Sequence, residues 1–426
     1  MSTGTILHVN VVGFMAALEE ILDTTLRGRP FVIANRAASR AVVLDISREA
    51  HREGVRRGML LAQAARVLTG LVVREPRVDL YASANQALGR ICQCYSPCVE
   101  IAGSGHVFME LAGTSGLNGS PEDVSQKIRR AIFSQTGLRP VLALSGSKTV
   151  SKVATRVFRP AGFIALSPWE EDQLMLHQPV SFLPGVGVIL SQRLNLLGIR
   201  EIGDLAKLSN AEARALGPRG PELAARARGV DYLPVDPEPP ERRTERGAIV
   251  FEPDVVDPEL IRPRLELLAS KLAYSLRRQG LGARRVHVQL FYTDGLSGSA
   301  YTKSSNILVR DDEIVHLACE SFFRARTRRV RVRRISVELS SLSPAGPELD
   351  LFEPTETRLA LLQSALDKVR TRYGFPTVFR ATILIGNRAG STGSDIECSF
   401  VPVTSETRVC QIPDEASFRH HNLAVG

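Results

Sequence analysis

The stretch Ile6–Glu20, ILHVNVVGFMAALEE, constrains the chain more than any other. Ile6, Leu7, Val9, Val11 and Val12 form an apolar run of strand type, too short for a globular helix. Gly13 ends it. Ala16, Ala17 and Leu18 favour helix, and Glu19 and Glu20 suit a first helical turn, where the helix dipole is positive. The stretch therefore predicts a buried strand, a tight turn and a helix. Asn10 falls at the strand end, where α/β proteins tend to keep their chemistry.

A chain of 426 residues is long enough for two to four domains with large cores. Its hydrophobic content is that of a folded protein. It has no apolar run of about 18 residues, so no membrane span is expected. The N-terminus lacks a basic segment followed by a signal-type core, which points to the cytoplasm. Six cysteines are scattered. Cys92, Cys94 and Cys98 do not form a CxxC pair with a second pair, so buried free thiols are preferred over a zinc site. The net charge of +9 favours an anionic partner without naming it.

Local patterns give the remaining elements. Arg29–Ile33 and Arg40–Leu44 read as two strands with a turn between, and helical spacing follows from Ser47. A second helix is expected over Ser83–Gln93. Lys148 and Lys152 lie four apart, on one helix face. Leu183-Pro184-Gly185-Val186-Gly187 precedes an amphipathic helix marked by Leu190, Leu194 and Leu197. Leu233–Pro240, with four prolines, is an extended linker. A helix over Leu265–Gln279 leads to Arg285–Leu290, whose period of two sets Val286, Val288 and Leu290 against Arg285, His287 and Gln289. Arg329, Arg331 and Arg333 alternate with valines in the same way. Ile335, Val337 and Leu339 then carry the apolar parity, so a bulge near Arg333-Arg334 or two separate segments is expected. Arg358–Tyr373 reads as a helix with Leu359, Leu362, Leu366 and Val369 on one face. Residues 382–426 carry few cues and read as largely flexible.

Several of these stretches resemble the Y-family (DinB/UmuC-type) lesion-bypass DNA polymerases. Ile6–Glu20 is similar to their opening hVDhDxFFASVE, Gly54–Met59 to a GVxxGM turn, and Tyr95–Glu100 to YSPxVE. Ser147–Ala154 resembles NKxxAKxAS, and Leu183–Gly187 with Leu196–Leu205 resembles the LPGVG…LGIxTIGDL thumb. The resemblance implies an α+β multidomain fold of Y-family architecture. Palm would cover 1–25 and 76–165, fingers 26–75, and a helix-hairpin-helix thumb 166–232. A linker 233–243, a DNA-gripping little finger 244–345 and a C-terminal segment 346–426 would follow. Glu348-Leu349-Asp350-Leu351-Phe352 resembles the QLxLF peptide that docks on the sliding clamp, with Leu349, Leu351 and Phe352 as its apolar contacts.

The resemblance also locates what has changed. The family's metal-binding aspartate falls on Asn10, its Asp-Glu pair on Gly105 and His106, and its ribose-screening aromatic on Met15. The triphosphate-holding Tyr and Arg fall on Arg48 and His51, and a triphosphate-touching lysine on Lys152. Two-metal phosphoryl transfer needs clustered anionic oxygens around ions about 3.5–4 Å apart. An amide, a bare backbone and an imidazole do not supply them. Glu100 and Glu110 are the acids from which a rebuilt site could be made. Arg48, Lys148 and Lys152 read either as residual phosphate contacts or as surface charges. Gly185 and Gly187 read either as a close approach to a DNA phosphate or as packing. Arg285, His287, Arg329, Arg331 and Arg333 read as DNA-backbone contacts or as a solubility face. The pattern looks like an inactive member, similar to ImuB-type accessory subunits of bacterial mutasomes. Such a protein would bind damaged primer–template DNA, the sliding clamp and an active error-prone polymerase, and would need no cofactor. The alternative is a divergent translesion polymerase with relocated ligands, for which Mg²⁺ would be required.

Overall fold

A computed structural model describes residues 5–36, 40–160, 162–231, 234–237, 244–345 and 354–378, the side chains of 354–357 and 376 excepted. The chain forms two compact units that meet in sequence near Pro239-Pro240.

The first unit runs β1 (Ile6–Asn10), α1 (Phe14–Leu22), β2 (Phe31–Ile33), β3 (Asp45–Ile46), α2 (Arg48–Arg52), α3 (Leu61–Val67), β4 (Val72–Arg74), α4 (Val78–Gln93), β5 (Val99–Gly103) and β6 (His106–Glu110). It continues with α5 (Ser115–Asn118), α6 (Pro121–Thr136), β7 (Val141–Ser145), α7 (Lys148–Val157), β8 (Phe163–Ala165), α8 (Pro168–Leu176), α9 (Val188–Leu196), α10 (Ile202–Ala206), α11 (Asn210–Ala215) and α12 (Gly220–Ala227). Its main sheet has the order β5-β6-β1-β7-β8, so β1 is central. That position explains the apolar run. Leu7 and Val9 are sealed in one core with Leu88 and Ile91 of α4 and Ile128 and Ile132 of α6, and α7 covers the opposite face, where His8 meets Thr155. A small sheet, β3-β2-β4, closes over Val43, Ala50, Val55 and Ala64. The short helices α8–α12 share a third core around Leu183, Leu194, Ile202 and Leu205.

The second unit runs β9 (Thr244–Val255), α13 (Pro258–Arg278), β10 (Leu281–Tyr292), β11 (Ser297–Leu308), α14 (Asp311–Ala325), β12 (Val332–Pro344) and α15 (Pro354–Tyr373). Its sheet order is β11-β10-β12-β9, antiparallel throughout. Val286, Val288 and Leu290 point into a core shared with α13 and α14, as the period of two requires. The register slips beside Arg333, between Val332 and Arg334, which resolves the change of parity as a bulge.

Several local expectations are corrected. Residues 40–44 are not a strand: Val42 makes one isolated bridge to Leu60, and the pairing strand is Asp45–Ile46. Glu19 is not in the first turn of α1, which begins at Phe14; it is buried and takes hydrogen bonds from Arg77 and the Tyr81 hydroxyl. Helices α4 and α13 start earlier than their apolar patterns, at Val78 and Pro258. Leu197 is exposed while Leu194 is buried. Of the three clustered cysteines only Cys92 is buried. Arg329 and Arg331 precede β12 instead of riding on it. On α15 Leu359 and Leu362 are exposed and Leu366 and Val369 half-buried, while Gln363 and Arg370 are the buried side chains, and Asp367 and Arg370 bond to the unit. No helix among the described residues is long and apolar enough to cross a membrane. The stretch Glu348–Phe352 and residues 382–426 lie outside the described residues.

Candidate functional site

The end of β1 brings the first three candidates together. Asn10 pairs with His106 on β6 and with Val141 on β7. Directly paired residues in an antiparallel ladder share a face, so Asn10 and His106 stand side by side on the face that α7 covers. Asn10 is 1% exposed, and its Nδ2 has no hydrogen-bond partner among the described residues. Gly105 closes the β5–β6 turn at φ +76°. Its carbonyl accepts from the Val11 N–H at 2.8 Å, and its own N–H donates to Asn85 Oδ1 at 2.9 Å. A Cβ at Gly105 would stand 2.9–3.0 Å from Phe14. The backbone conformation and the Phe14 ring together oppose any side chain there.

His106 belongs to a chain of hydrogen bonds whose direction can be deduced. The Thr155 hydroxyl donates to the Lys152 carbonyl at 3.0 Å, so Thr155 Oγ1 accepts from His8 Nδ1 at 2.8 Å. His8 Nε2 is then the acceptor for His106 Nδ1 at 3.2 Å. The two rings stack with an interplanar angle of 4°, and His8 also stacks on Phe108 at 4.4 Å. Both imidazoles are held neutral. Burial lowers His8 well below the usual histidine value, aided by His106 and Lys152. Burial also pushes His106 down to about 3, with Lys152, Arg159, Arg156 and Arg57 adding to the effect.

A second feature lies at the start of α1. Gly13 precedes the helix in the left-handed region and gives no side-chain cap. The buried Asp45 carboxylate caps it from β3. Oδ2 accepts from the Met15 and Ala16 amides at 3.0 and 3.3 Å, while Oδ1 accepts from the Ile46 amide at 2.8 Å and from Arg57 Nε at 2.7 Å. A helix start after a central strand is a ready anion site, and here it is filled by an acid of the chain itself. Sequence reasoning missed Asp45, because the contact exists only once β3 lies beside α1. It also missed the His8–Thr155 link, which joins residues 147 apart in sequence.

The remaining phosphate candidates diverge. Arg48 and His51 are exposed on α2; burial and Arg56 lower the His51 pKa. Lys148 is no free surface lysine. It pairs with Glu100 at 2.5 Å and donates to the Pro234 carbonyl at 3.1 Å. Glu100 also accepts from the Asp236 amide, and Glu110 accepts from the Ala112 amide, so neither acid is directed at Asn10. Lys152 lies one turn further along α7, within electrostatic reach of both histidines.

Two Mg²⁺ ions require hard, anionic oxygens converging on one point. The residues present do not fit them: Asn10 is a neutral amide, Gly105 is bare, His106 is a neutral imidazole, and the strongest charged influences on His106 are cationic. No group of three or more His, Cys, Asp or Glu side chains among the described residues is placed to hold a metal.

In the hairpin before α9, Gly185 has φ +95°, and a Cβ on it would meet Arg219 at 2.8 Å. Gly187 has open space around its α-carbon and precedes α9 without a side-chain cap. In the second unit the solvent face of the sheet carries guanidinium groups laid on rings. Arg285 stacks on Tyr301 and Arg334 on Phe291, each at 3.8 Å. His287 pairs in register with Tyr301 and Glu338. Arg333 reaches Asp254 at 3.7 Å. Arg329 and Arg331 are exposed, with no acidic partner among the described residues.

The architecture has a counterpart among solved structures. A Y-family DNA polymerase chimera of Dbh and Dpo4 aligns over 79% of this chain and 98% of its own, with TM-score 0.70 and 21% identity. DinB from Sulfolobus solfataricus aligns over the same shares, with TM-score 0.53 and 20% identity. The fold is that of the Y-family polymerases. Residues 9–156 match the impB/mucB/samB family and residues 248–351 its C-terminal domain. DNA polymerase IV of Alkalilimnicola ehrlichii is 32% identical over 73% of this chain and 89% of that protein. DNA polymerase IV of Moorella thermoacetica is 31% identical over 90% and 96%. The chain belongs to the impB/mucB/samB family of Y-family DNA polymerases.

Proposed function

We propose that this chain is a non-catalytic Y-family member, of the ImuB-like kind, that works in error-prone translesion synthesis by holding DNA and not by copying it. The observation that carries this reading is the end of β1. Asn10 and His106 stand where the family's acids are expected, and Gly105 cannot take a side chain without displacing Phe14. The Asp45 carboxylate on the start of α1 supports it further, since an incoming phosphate would meet a negative charge there. Palm, fingers, thumb and little finger take the boundaries given above. DNA contact is assigned to the Gly185–Gly187 hairpin and to Arg285, His287, Arg329, Arg331 and Arg333. Arg48 and Lys152 are vestigial phosphate contacts. Leu349, Leu351 and Phe352 bind the sliding clamp, and an active polymerase is the recruited partner.

Primer extension by the pure protein with Mg²⁺ or Mn²⁺ tests the central point. No templated addition is expected, and incorporation of a templated base would overturn the reading. For the clamp, Leu351→Ala with Phe352→Ala should abolish capture on immobilised clamp, and unchanged capture would refute the motif.

A divergent active polymerase is the second reading, favoured by curated relatives named DNA polymerase IV that align over nearly their whole length. It needs new metal ligands. Glu100 and Glu110, the acids from which a rebuilt site could be made, are both engaged elsewhere.

A further inference from the structure

The segment that follows Asp231 is held to the first unit by side chains from beneath. Its prolines decide how. Pro234 and Pro237 have no N–H to donate, so the segment cannot extend a sheet as a regular strand. Four side-chain contacts take the place of a ladder. The Thr149 hydroxyl donates to the Asp231 carboxylate at 2.8 Å, and Lys148 Nζ donates to the Pro234 carbonyl at 3.1 Å. The Cys98 thiol donates to the Val235 carbonyl at 3.2 Å, and Glu100 accepts from the Asp236 amide at 2.9 Å. Val235 itself is buried.

One ion pair ties these contacts together. The Lys148 and Glu100 side chains are only 12% and 20% exposed, and salt screens such a pair far less than an exposed one. A single Glu100 oxygen, Oε2, accepts from both Lys148 and the Asp236 amide. Glu100 lies opposite Phe108 in the β5–β6 ladder, and the Lys148 ammonium sits 5.3 Å from the centre of the Phe108 ring. Lys148 stands in the first turn of α7, where a cation works against the helix dipole. Its contacts with a carboxylate, a carbonyl and a ring offset that cost and fix the ammonium beneath the strap.

We infer that the Glu100–Lys148 pair is a latch that straps residues 234–236 onto the first unit and so limits the reach of the chain leading to the second. Pinned at Asp236, the chain up to Thr244 spans at most roughly 29 Å in any conformation, and freed back to Asp231 it spans up to roughly 47 Å. Breaking either partner leaves the other charge largely buried and uncompensated, so the two act as one unit. The latch is independent of what the β1 end binds, so the two can fail separately.

The test uses the full chain and iodoacetamide, with alkylation of each cysteine followed by mass spectrometry. Cys98 is half-buried against the Val235 carbonyl, Cys94 is exposed and Cys92 is buried. Lys148→Met and Glu100→Gln should each speed alkylation of Cys98 about tenfold, as a local opening does, and leave Cys94 and Cys92 unchanged. Lys148 lowers the Cys98 pKa and Glu100 raises it, so acceleration by both changes excludes a purely electrostatic effect on the thiol. Lys127→Met, at a lysine bonded to the Asn118 carbonyl, should change nothing. The double variant should be no faster than the faster single, because either change opens the same latch. Unchanged alkylation of Cys98 in both variants would overturn the proposal. So would equal acceleration at Cys92, since the pair would then support the core at large. For the reach, spin labels on unnatural amino acids at exposed sites of α6 and α14 should give a distance distribution that widens and extends in Lys148→Met. A distribution identical to the parent's would show that the strap does not limit the second unit, and the proposal would fall.

Discussion

The His8–His106 pair makes the stability of the first unit depend on acidity. Both rings are pushed below the ordinary histidine value, so the native state binds fewer protons than the unfolded chain. Stability from this source is complete above the unfolded value, about 6.5, and is lost as the pH falls toward the His106 value of about 3. The free energy of urea unfolding should therefore fall between pH 7.5 and pH 5, by about 1 kcal/mol per pH unit for each ring below 6.5. His106→Gln should flatten that limb, and an unchanged slope would dismiss the pair. Asp45 is the other residue whose position decides much. Asp45→Ala would leave the Met15, Ala16 and Ile46 amides without their acceptor. The expected loss is roughly 2–4 kcal/mol by urea unfolding, from a lost cap and buried unpaired donors. The exposed side of Arg57 adds little, being screened by solvent. Neither residue's role was legible beforehand. Histidine and aspartate have no periodicity to read, and their partners come from β6, α7 and α1.

At the level of elements, the sequence was legible where packing and pattern agree. The strand Ile6–Asn10, the helix after Gly13 and the alternation in β10 all came from apolar spacing, because a buried face leaves a period in the chain. The change of parity near Arg333 also marked a real bulge. Reading failed where an element's ends or contacts are set from outside. Residues 40–44 lose their strand to a single bridge. Helix α15 is docked by the Arg277–Asp311–Asp367–Arg370 network, while Leu359 and Leu362 stay exposed and Leu366 and Val369 are half-buried. Asp311→Ala should cost the second unit about 3 kcal/mol, as expected when a buried pair loses one partner, and raise hydrogen exchange through α15. Stability within error of the parent would mean the network contributes nothing net. In the hairpin, Gly185→Ala forces a left-handed residue against Arg219. It should destabilise by roughly 1–2 kcal/mol and weaken DNA binding more than Gly187→Ala, where space is open.

At the scale of the whole molecule, the proposed DNA contact is supported by the net charge of +9 and by guanidinium groups stacked on Tyr301 and Phe291 along one sheet face of the second unit. Binding to duplex DNA should fall steeply with salt, since each neutralised phosphate releases counterions. Arg285→Ala with Arg331→Ala should make the logarithmic slope shallower by about one per lost phosphate contact. A slope near zero in the parent protein would remove the basic face from the argument. The surfaces that the proposal assigns to DNA fall on both compact units.

The amino-acid order alone determined the strand–turn–helix opening and the alternation of β10, because buried strands and glycine turns write their periods and breaks into the chain, and its motifs carried the family resemblance that implied the class of fold. Tertiary structure decided what those residues do. It set Asn10 beside a neutral imidazole, closed Gly105 against Phe14, seated Asp45 on the start of α1 and docked α15 through Arg277, Asp311, Asp367 and Arg370. Each of these depends on groups far apart in sequence becoming neighbours, and the energetics of a buried polar atom are settled by its neighbours.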